Sequence, residues 1–144
     1  AQQTAARNRR HAATWADTGS RNVIVLSGDA HVGMATELAI EEDDDPVAVE
    51  FVNSSLTSQN LDDKMGWARR DYQSQDVERR AVEFLPHWKW VDLDSHGYVI
   101  IDMNPEHLTA EYWHLDTVLE RTPNEERAAV WAVEHGMQSL SRVG

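Results

Sequence analysis

Asp29 and His31 stand two positions apart where an apolar run stops, in Val23-Ile24-Val25-Leu26-Ser27-Gly28-Asp29-Ala30-His31. In an extended chain residues i and i+2 project to the same side, so the carboxylate and the imidazole emerge together while Ala30 points away. A hard oxygen donor beside a borderline nitrogen donor suits two adjacent cations, an oxygen-preferring ion on Asp29 and a transition metal on His31. Gly28 and Gly33 flank the pair without side chains, which permits sharp bends and close approach of a phosphate to the backbone. Asp is also a common turn former, and a lone His often serves only as a hydrogen-bonded structural residue. The spacing by itself therefore leaves a metal pair and a closed turn both open.

The pair needs a strand to present it. Val23 to Leu26 is a continuous apolar run, which reads as a strand covered on both faces in the middle of an α/β layer. Ligands of open α/β sheets bind at the carboxyl ends of strands, which is where Asp29 and His31 fall. Ahead of the strand, residues 1 to 16 are rich in Ala and Arg and suit a helix ending near Asp17-Thr18-Gly19-Ser20. The N-terminus has no initiator Met and no apolar core of a signal peptide, and reads as helix from Ala1, which suggests a piece of something longer.

Further along, Glu41-Glu42-Asp43-Asp44-Asp45-Pro46 reads as a solvated acidic turn rather than a calcium loop, because the Asp/Asn/Gly spacing of such a loop is missing. Val47 to Val52 alternates as a second strand and runs into the hydroxyl-rich residues 53 to 58. Asn53, Ser54 and Ser55 lie at the same strand-end edge, where they either hydrogen-bond the loop carrying the metal pair or satisfy their own turn. Leu61 to Phe84 reads as loop and then helix. Residues 86 to 118 read as a meander of strands at Trp88 to Leu93, Tyr98 to Met103 and Leu108 to Val118, joined by Asp94-Ser95-His96-Gly97 and Asn104-Pro105-Glu106. Thr122, Pro123 and Glu125 have the spacing of a capping box, which predicts a closing helix through Glu125-Glu126-Arg127-Ala128-Ala129-Val130-Trp131-Ala132-Val133-Glu134-His135-Gly136.

Composition narrows the function classes. The chain has 144 residues, 41% of them hydrophobic, with a net charge of -12 and no cysteine. That length suits one domain with a real core. The charge repels phosphate backbones and argues against nucleic acid as a partner, while a bound cation fits it. No apolar run is long enough to span a bilayer.

Taken in succession, residues 23 to 33, the Val49-Glu50-Phe51-Val52-Asn53-Ser54-Ser55-Leu56-Thr57-Ser58 segment, the meander and the final segment resemble the C-terminal portion of PhoD-like metallophosphoesterases, the alkaline phosphatase D family. The resemblance covers roughly residues 20 to 140. It implies an α/β fold of calcineurin type, two packed β-sheets flanked by helices, of which residues 1–144 are the C-terminal part. It implies hydrolysis of phosphoesters by a hydroxide generated at a dinuclear or larger cluster of iron with calcium, with zinc or manganese as other candidates. Diesters related to phospholipids and glycerophosphodiesters are the substrates it favours, and alkaline phosphomonoesterase activity is the alternative. Carried over by position, Asp29 is a ligand of the divalent ion and His31 a ligand or neighbour of the iron.

Two ligands cannot build such a cluster. The Cys, Asp, Tyr and Asn ligands of the family lie upstream of the matched portion, so the resemblance implies a larger N-terminal chain of the same precursor, activity only with that chain, and secretion. Beside the site, the resemblance points to His87 near its mouth, and Trp88 with Trp90 on one strand face suits either a substrate channel or core packing. The rival reading from another class is a non-catalytic acidic α/β binding module in which Asp29 and His31 only close a turn.

Overall fold

The computed structural model describes residues 2–121 and 123–144, with side chains from Arg10 onward. Eight strands form two four-stranded sheets that pack face to face. The first sheet holds β1 (Ile24–Ser27), β2 (Gly33–Leu38), β3 (Ala48–Val52) and β4 (Trp88–Asp92) in the order β1-β3-β2-β4. The second holds β5 (Gly97–Met103), β6 (His107–Leu115), β7 (Glu125–Glu134) and β8 (Ser141–Arg142) in sequential order. Helices α1 (Gln2–Asp17), α2 (Leu61–Met65) and α3 (Tyr72–Phe84) complete the element order. Among the described residues, no helix is long and apolar enough to cross a membrane.

Alternation along the strands builds the core. Ala35, Val49 and Phe51 of the first sheet meet Leu108, Ala110, Tyr112, Ala129, Trp131 and Val133 of the second. Each large side chain buried here is worth about 1.5–3 kcal/mol of transfer free energy. Tyr112 also crosses the gap with its hydroxyl, which donates to the Met34 carbonyl and so buries its polar end at no loss. Trp90 lies against Tyr112 with ring centroids 4.6 Å apart, and it therefore belongs to the core.

Two expectations are corrected. The closing helix is strand β7: Ala129, Trp131 and Val133 occupy alternate positions and all enter the core, so the period is two, and tertiary burial overrides the helical preference of an Ala- and Glu-rich segment. The capping-box hydroxyl of Thr122 lies outside the described residues, as does Ala1 at the start of the expected first helix. Strand β1 is at the edge of its sheet among the described residues, with Leu26 60% exposed, instead of in the middle of the layer. Strand β2, between the Asp29–His31 turn and the acidic turn, carries buried Thr36 and Glu37 whose polarity hides its strand character.

Other elements follow the local signals. Gly19, at φ +62°, ends α1 where the Asp17-Thr18-Gly19-Ser20 turn indicated. Asp71 caps α3 by accepting from the Gln73 N–H at 3.0 Å. Asn104 Oδ1 accepts from the N–H groups of Glu106 and His107, which closes the β5–β6 turn. The acidic residues 41 to 45 are exposed and form a turn in which Asp44 Oδ2 accepts from the Glu41 N–H.

Candidate functional site

Strands β1 and β3 run parallel in register from Ile24 beside Val49 to Ser27 beside Val52, so their carboxyl ends share one edge. The Asn53 N–H donates to the Ser27 carbonyl at 2.9 Å and extends the pairing by one step. The chain then leaves β1 and returns as β2 through Gly28-Asp29-Ala30-His31-Val32. That short return is the turn on which Asp29 and His31 sit.

The turn is not extended, which corrects the strand geometry assumed for the pair. Asp29 has φ +72° and His31 φ +59°, both in the left-handed region. For residues with a Cβ this conformation costs about 1–2 kcal/mol each. Gly28 and Gly33 are not the bending points. At Gly33 an added Cβ would come within 3.1 Å of the Trp90 ring, so that glycine serves close packing of β2 on β4. Two side-chain-bearing residues held in a strained conformation two positions apart are typical of a functional turn.

His31 is oriented by a single bond. Its Nδ1 lies 3.0 Å from the Gln59 carbonyl oxygen, which can only accept, so Nδ1 carries the proton. In the neutral ring Nε2 is then the lone-pair nitrogen. A backbone carbonyl on one imidazole nitrogen is the usual way of presenting the other to a metal. Asp29 beside it is exposed. A carboxylate with open oxygens and an imidazole with a fixed, unprotonated Nε2 fit a metal pair.

The loop that supplies Gln59 is itself anchored. Asn60 follows it, buried to 1% exposure, with its N–H donating to Asp63 Oδ2 at 3.1 Å. His96 Nδ1 lies 3.1 Å from the Ser55 carbonyl, and His96 Nε2 lies 3.5 Å from Asp63 Oδ2. His96 and Asn60 thus hold the segment that aims His31, a role the sequence did not reveal because they come from a turn and a helix cap far apart in the chain. Of the hydroxyl-rich residues, Ser55 turns its Oγ to the N–H groups of Thr57 and Ser58 and so satisfies its own turn. Ser54 is buried, and Asn53 Oδ1 is buried at the strand edge without a hydrogen-bond partner.

His87 and Trp88 lie elsewhere. Strand β4 is antiparallel to β2, with Asp92 beside Gly33 and Trp88 beside Thr36, so its beginning is at the far end of the sheet. There His87 Nε2 bonds the Glu42 carbonyl at 2.8 Å and its carbonyl accepts from Thr36 and Glu37. His87 thus joins the acidic turn, and both residues lie at the end of the β2–β4 pairing away from Asp29 and His31.

The near end of β4 carries a second charged group. Glu78 on α3, Asp92 and Asp94 bring carboxylate oxygens within 4.8 Å of one another. Burial pushes the Glu78 carboxyl up to about 7, against the Leu93 N–H that favours its ionised form, with Asp92 and Asp94 adding to the rise. His114 on β6 faces Asp92 at 3.6 Å, and burial lowers its pKa below the usual imidazole value more than Asp92 raises it.

Comparison with known proteins adds a likeness. The family model described as PhoD-like phosphatase matches residues 2–112. None of the curated proteins matches. A solved structure titled "Structure of PhoD" superposes with a TM-score of 0.75 at 22% identity, over 94% of this chain and 25% of that one. The chain thus spans about a quarter of the length of that relative.

Proposed function

From the chain's membership of the PhoD-like phosphatase family, we infer that it is the part of a metal-dependent phosphoesterase that supplies Asp29 and His31 to the metal centre. The observation that carries this reading is the bond from His31 Nδ1 to the Gln59 carbonyl, which leaves Nε2 as the donor atom beside the open Asp29 carboxylate. Asp29 and His31 would hold metal ions whose chemistry there would be Lewis acidity toward a phosphoester and toward water. This chain's own contribution is positional. The strained turn fixes where the two donors point, and the anchor at His96 and Asn60 keeps the Gln59 carbonyl in place.

Iron with calcium is the metal set we propose. Calcium suits the Asp29 oxygens and iron the His31 nitrogen. An extracellular setting belongs to the same proposal, since extracellular modules use calcium sites of about 10⁻⁴–10⁻³ M affinity. Phosphodiesters are the substrate class we favour over monoesters. A diester carries one negative charge and a monoester up to two, and the net charge of -12 penalises the dianion more.

Two protein donors do not complete a two-metal centre, so the remaining ligands are proposed to come from an N-terminal segment of the same precursor. The free edge of β1 and its exposed Leu26 offer that segment a strand to pair with. The test is an assay of the complete protein carrying this chain, with bis-p-nitrophenyl phosphate and p-nitrophenyl phosphate as substrates, together with metal analysis. Asp29→Asn is expected to lower kcat at least about 100-fold and to reduce bound metal. Unchanged turnover and metal content in that variant would overturn the reading in favour of a non-catalytic binding module.

A further inference from the structure

We propose that Glu78, Asp92, Asp94 and His114 form a second divalent-cation site, separate from the Asp29–His31 turn. The site joins α3 to the junction of β4 and β5. Glu78, Asp92 and Asp94 each bring one carboxylate oxygen within 4.8 Å of the others. Oxygens about 2.3–2.6 Å from a calcium ion stand only slightly closer together than this, so small side-chain rotations bring all three onto one ion.

Each carboxylate is already oriented by protein donors, Glu78 and Asp94 on one oxygen and Asp92 on both, with the Ser95 hydroxyl donating to Asp92 Oδ2 at 3.0 Å. Leu93 N–H donates to Glu78 Oε1 at 2.8 Å. Ser95 N–H donates to Asp92 Oδ1 at 2.7 Å. Arg70 N–H and Ser74 Oγ–H donate to Asp94 Oδ2 at 2.7 Å and 2.6 Å. Among the described residues, no donor meets Glu78 Oε2 or Asp94 Oδ1. A carboxylate fixed by a protein donor that keeps an open oxygen, as in Glu78 and Asp94, or a spare lone pair, as in Asp92, is how ligands are held for a metal.

The independent observation is His114. It is 2% exposed, its Nδ1 has no hydrogen-bond partner, and that nitrogen lies 3.6 Å from Asp92 Oδ2. A buried ring nitrogen without a partner is costly, and a carboxylate slightly beyond hydrogen-bond reach does not relieve it. A cation on Asp92 within reach of Nδ1 does. Without a cation, burial foremost and the neighbouring Asp92 and Asp94 charges after it disfavour the ionised form of Glu78.

Three carboxylates and an imidazole select a divalent cation of the calcium and manganese class. Calcium would rely on the oxygens alone, whereas manganese would also use His114. Entry is open, because Glu78, Asp92 and Asp94 line a cleft of about 1150 Å³ that also exposes part of Trp90. The site does not depend on the phosphoesterase reading. Strand register places Asp92 beside Gly33, two positions past His31, so an ion here would also brace the strand that carries the catalytic turn.

The test uses the full chain, stripped with a chelator and titrated calorimetrically with CaCl2 and separately with MnCl2. The Asp29→Asn background silences the turn. At least one of the two ions is expected to bind that background with one-site stoichiometry, and Glu78→Gln is expected to weaken binding at least tenfold. Gln keeps an acceptor for the Leu93 N–H, so this variant leaves the fold intact, as near-UV circular dichroism would verify. His114→Ala separates the ions: lost manganese affinity with calcium retained places the nitrogen in the coordination sphere. Terbium emission excited through tryptophan gives an independent readout. It is expected to persist in Asp29→Asn and to vanish in Glu78→Gln. Absence of calcium and manganese binding, binding unaffected by Glu78→Gln, or terbium emission that follows Asp29 instead of Glu78 would each overturn the proposal.

Discussion

Asp29 and Asp92 stand at the same end of one sheet in opposite surroundings. Asp29 is exposed on a turn held in left-handed backbone, with open carboxylate oxygens. Asp92 is mostly buried and closes its own turn through the N–H groups of Asp94 and Ser95 and the Ser95 hydroxyl, beneath the His114 ring. The first region has given up stability to keep its donors available, while the second uses its acids as structural acceptors. Substitutions at the two regions should therefore have opposite costs.

The largest effect is expected where the second region meets β6. Gly97 pairs with His114, and a Cβ added there would lie 2.0 Å from the Trp113 carbonyl oxygen. Neither atom is the end of a flexible side chain, so the strands must separate. Gly97→Ala is expected to lower unfolding free energy by about 3 kcal/mol, the upper range for an intruding methyl group. Urea denaturation checks this. A Gly28→Ala control, whose Cβ would have 3.8 Å to its nearest neighbour, is expected to stay within about 0.5 kcal/mol of wild type.

Next is Asp94→Ala, which leaves the Arg70 N–H without its acceptor and the buried Ser74 hydroxyl with only the Asp71 carbonyl to donate to. A loss of about 2 kcal/mol is expected. Asp29→Ala, with no such donors to orphan, is expected to cost almost nothing in the same denaturation experiment. Equal losses in the two variants would erase the contrast between the regions.

The contrast also explains what was legible in the sequence. Asp29 and His31 are neighbours in sequence and at the end of an apolar run, so local pattern was enough to single them out. The strands at Trp88, Tyr98 and Leu108 were legible because short polar turns separate alternating segments. Glu78 was not, because it reaches Asp92 and Asp94 only when α3 packs on β4. His96 likewise gains its role from Ser55 and Asp63, elements folded beside it from elsewhere. Strand β7 misled because Ala, Glu and Arg favour helix, and only the opposing sheet shows that Ala129, Trp131 and Val133 share one face.

A third expectation concerns pH, measured in chelated buffer so that no ion intervenes. The Glu78 pKa rises from 4.5 to about 7 on folding. Between those values the native protein keeps a proton that the unfolded chain has released, so stability attributable to Glu78 falls as pH rises through that window and levels off above it. His114 acts in the other direction. Its native pKa is held below 6.5, so the unfolded chain protonates first and stability falls as pH drops below 6.5. The Glu78→Gln variant removes the first slope and leaves the second. Its Tm relative to wild type is expected to climb as pH increases from 4.5 to 7, and a pH-independent difference would show that Glu78 titrates normally.

The smallest effect has the opposite sign. Asp29→Gly relieves a left-handed residue at φ +72° without breaking a core contact, and glycine adopts that conformation freely. The unfolded glycine chain has more entropy to lose, which offsets part of the gain. The net expectation is stabilisation of up to about 1 kcal/mol, read from the urea midpoint, accompanied by loss of metal at the turn in the complete protein. More stability with less metal is the signature of a turn kept strained for binding. A variant less stable than wild type would mean that Asp29 holds the turn together, as in the binding-module reading.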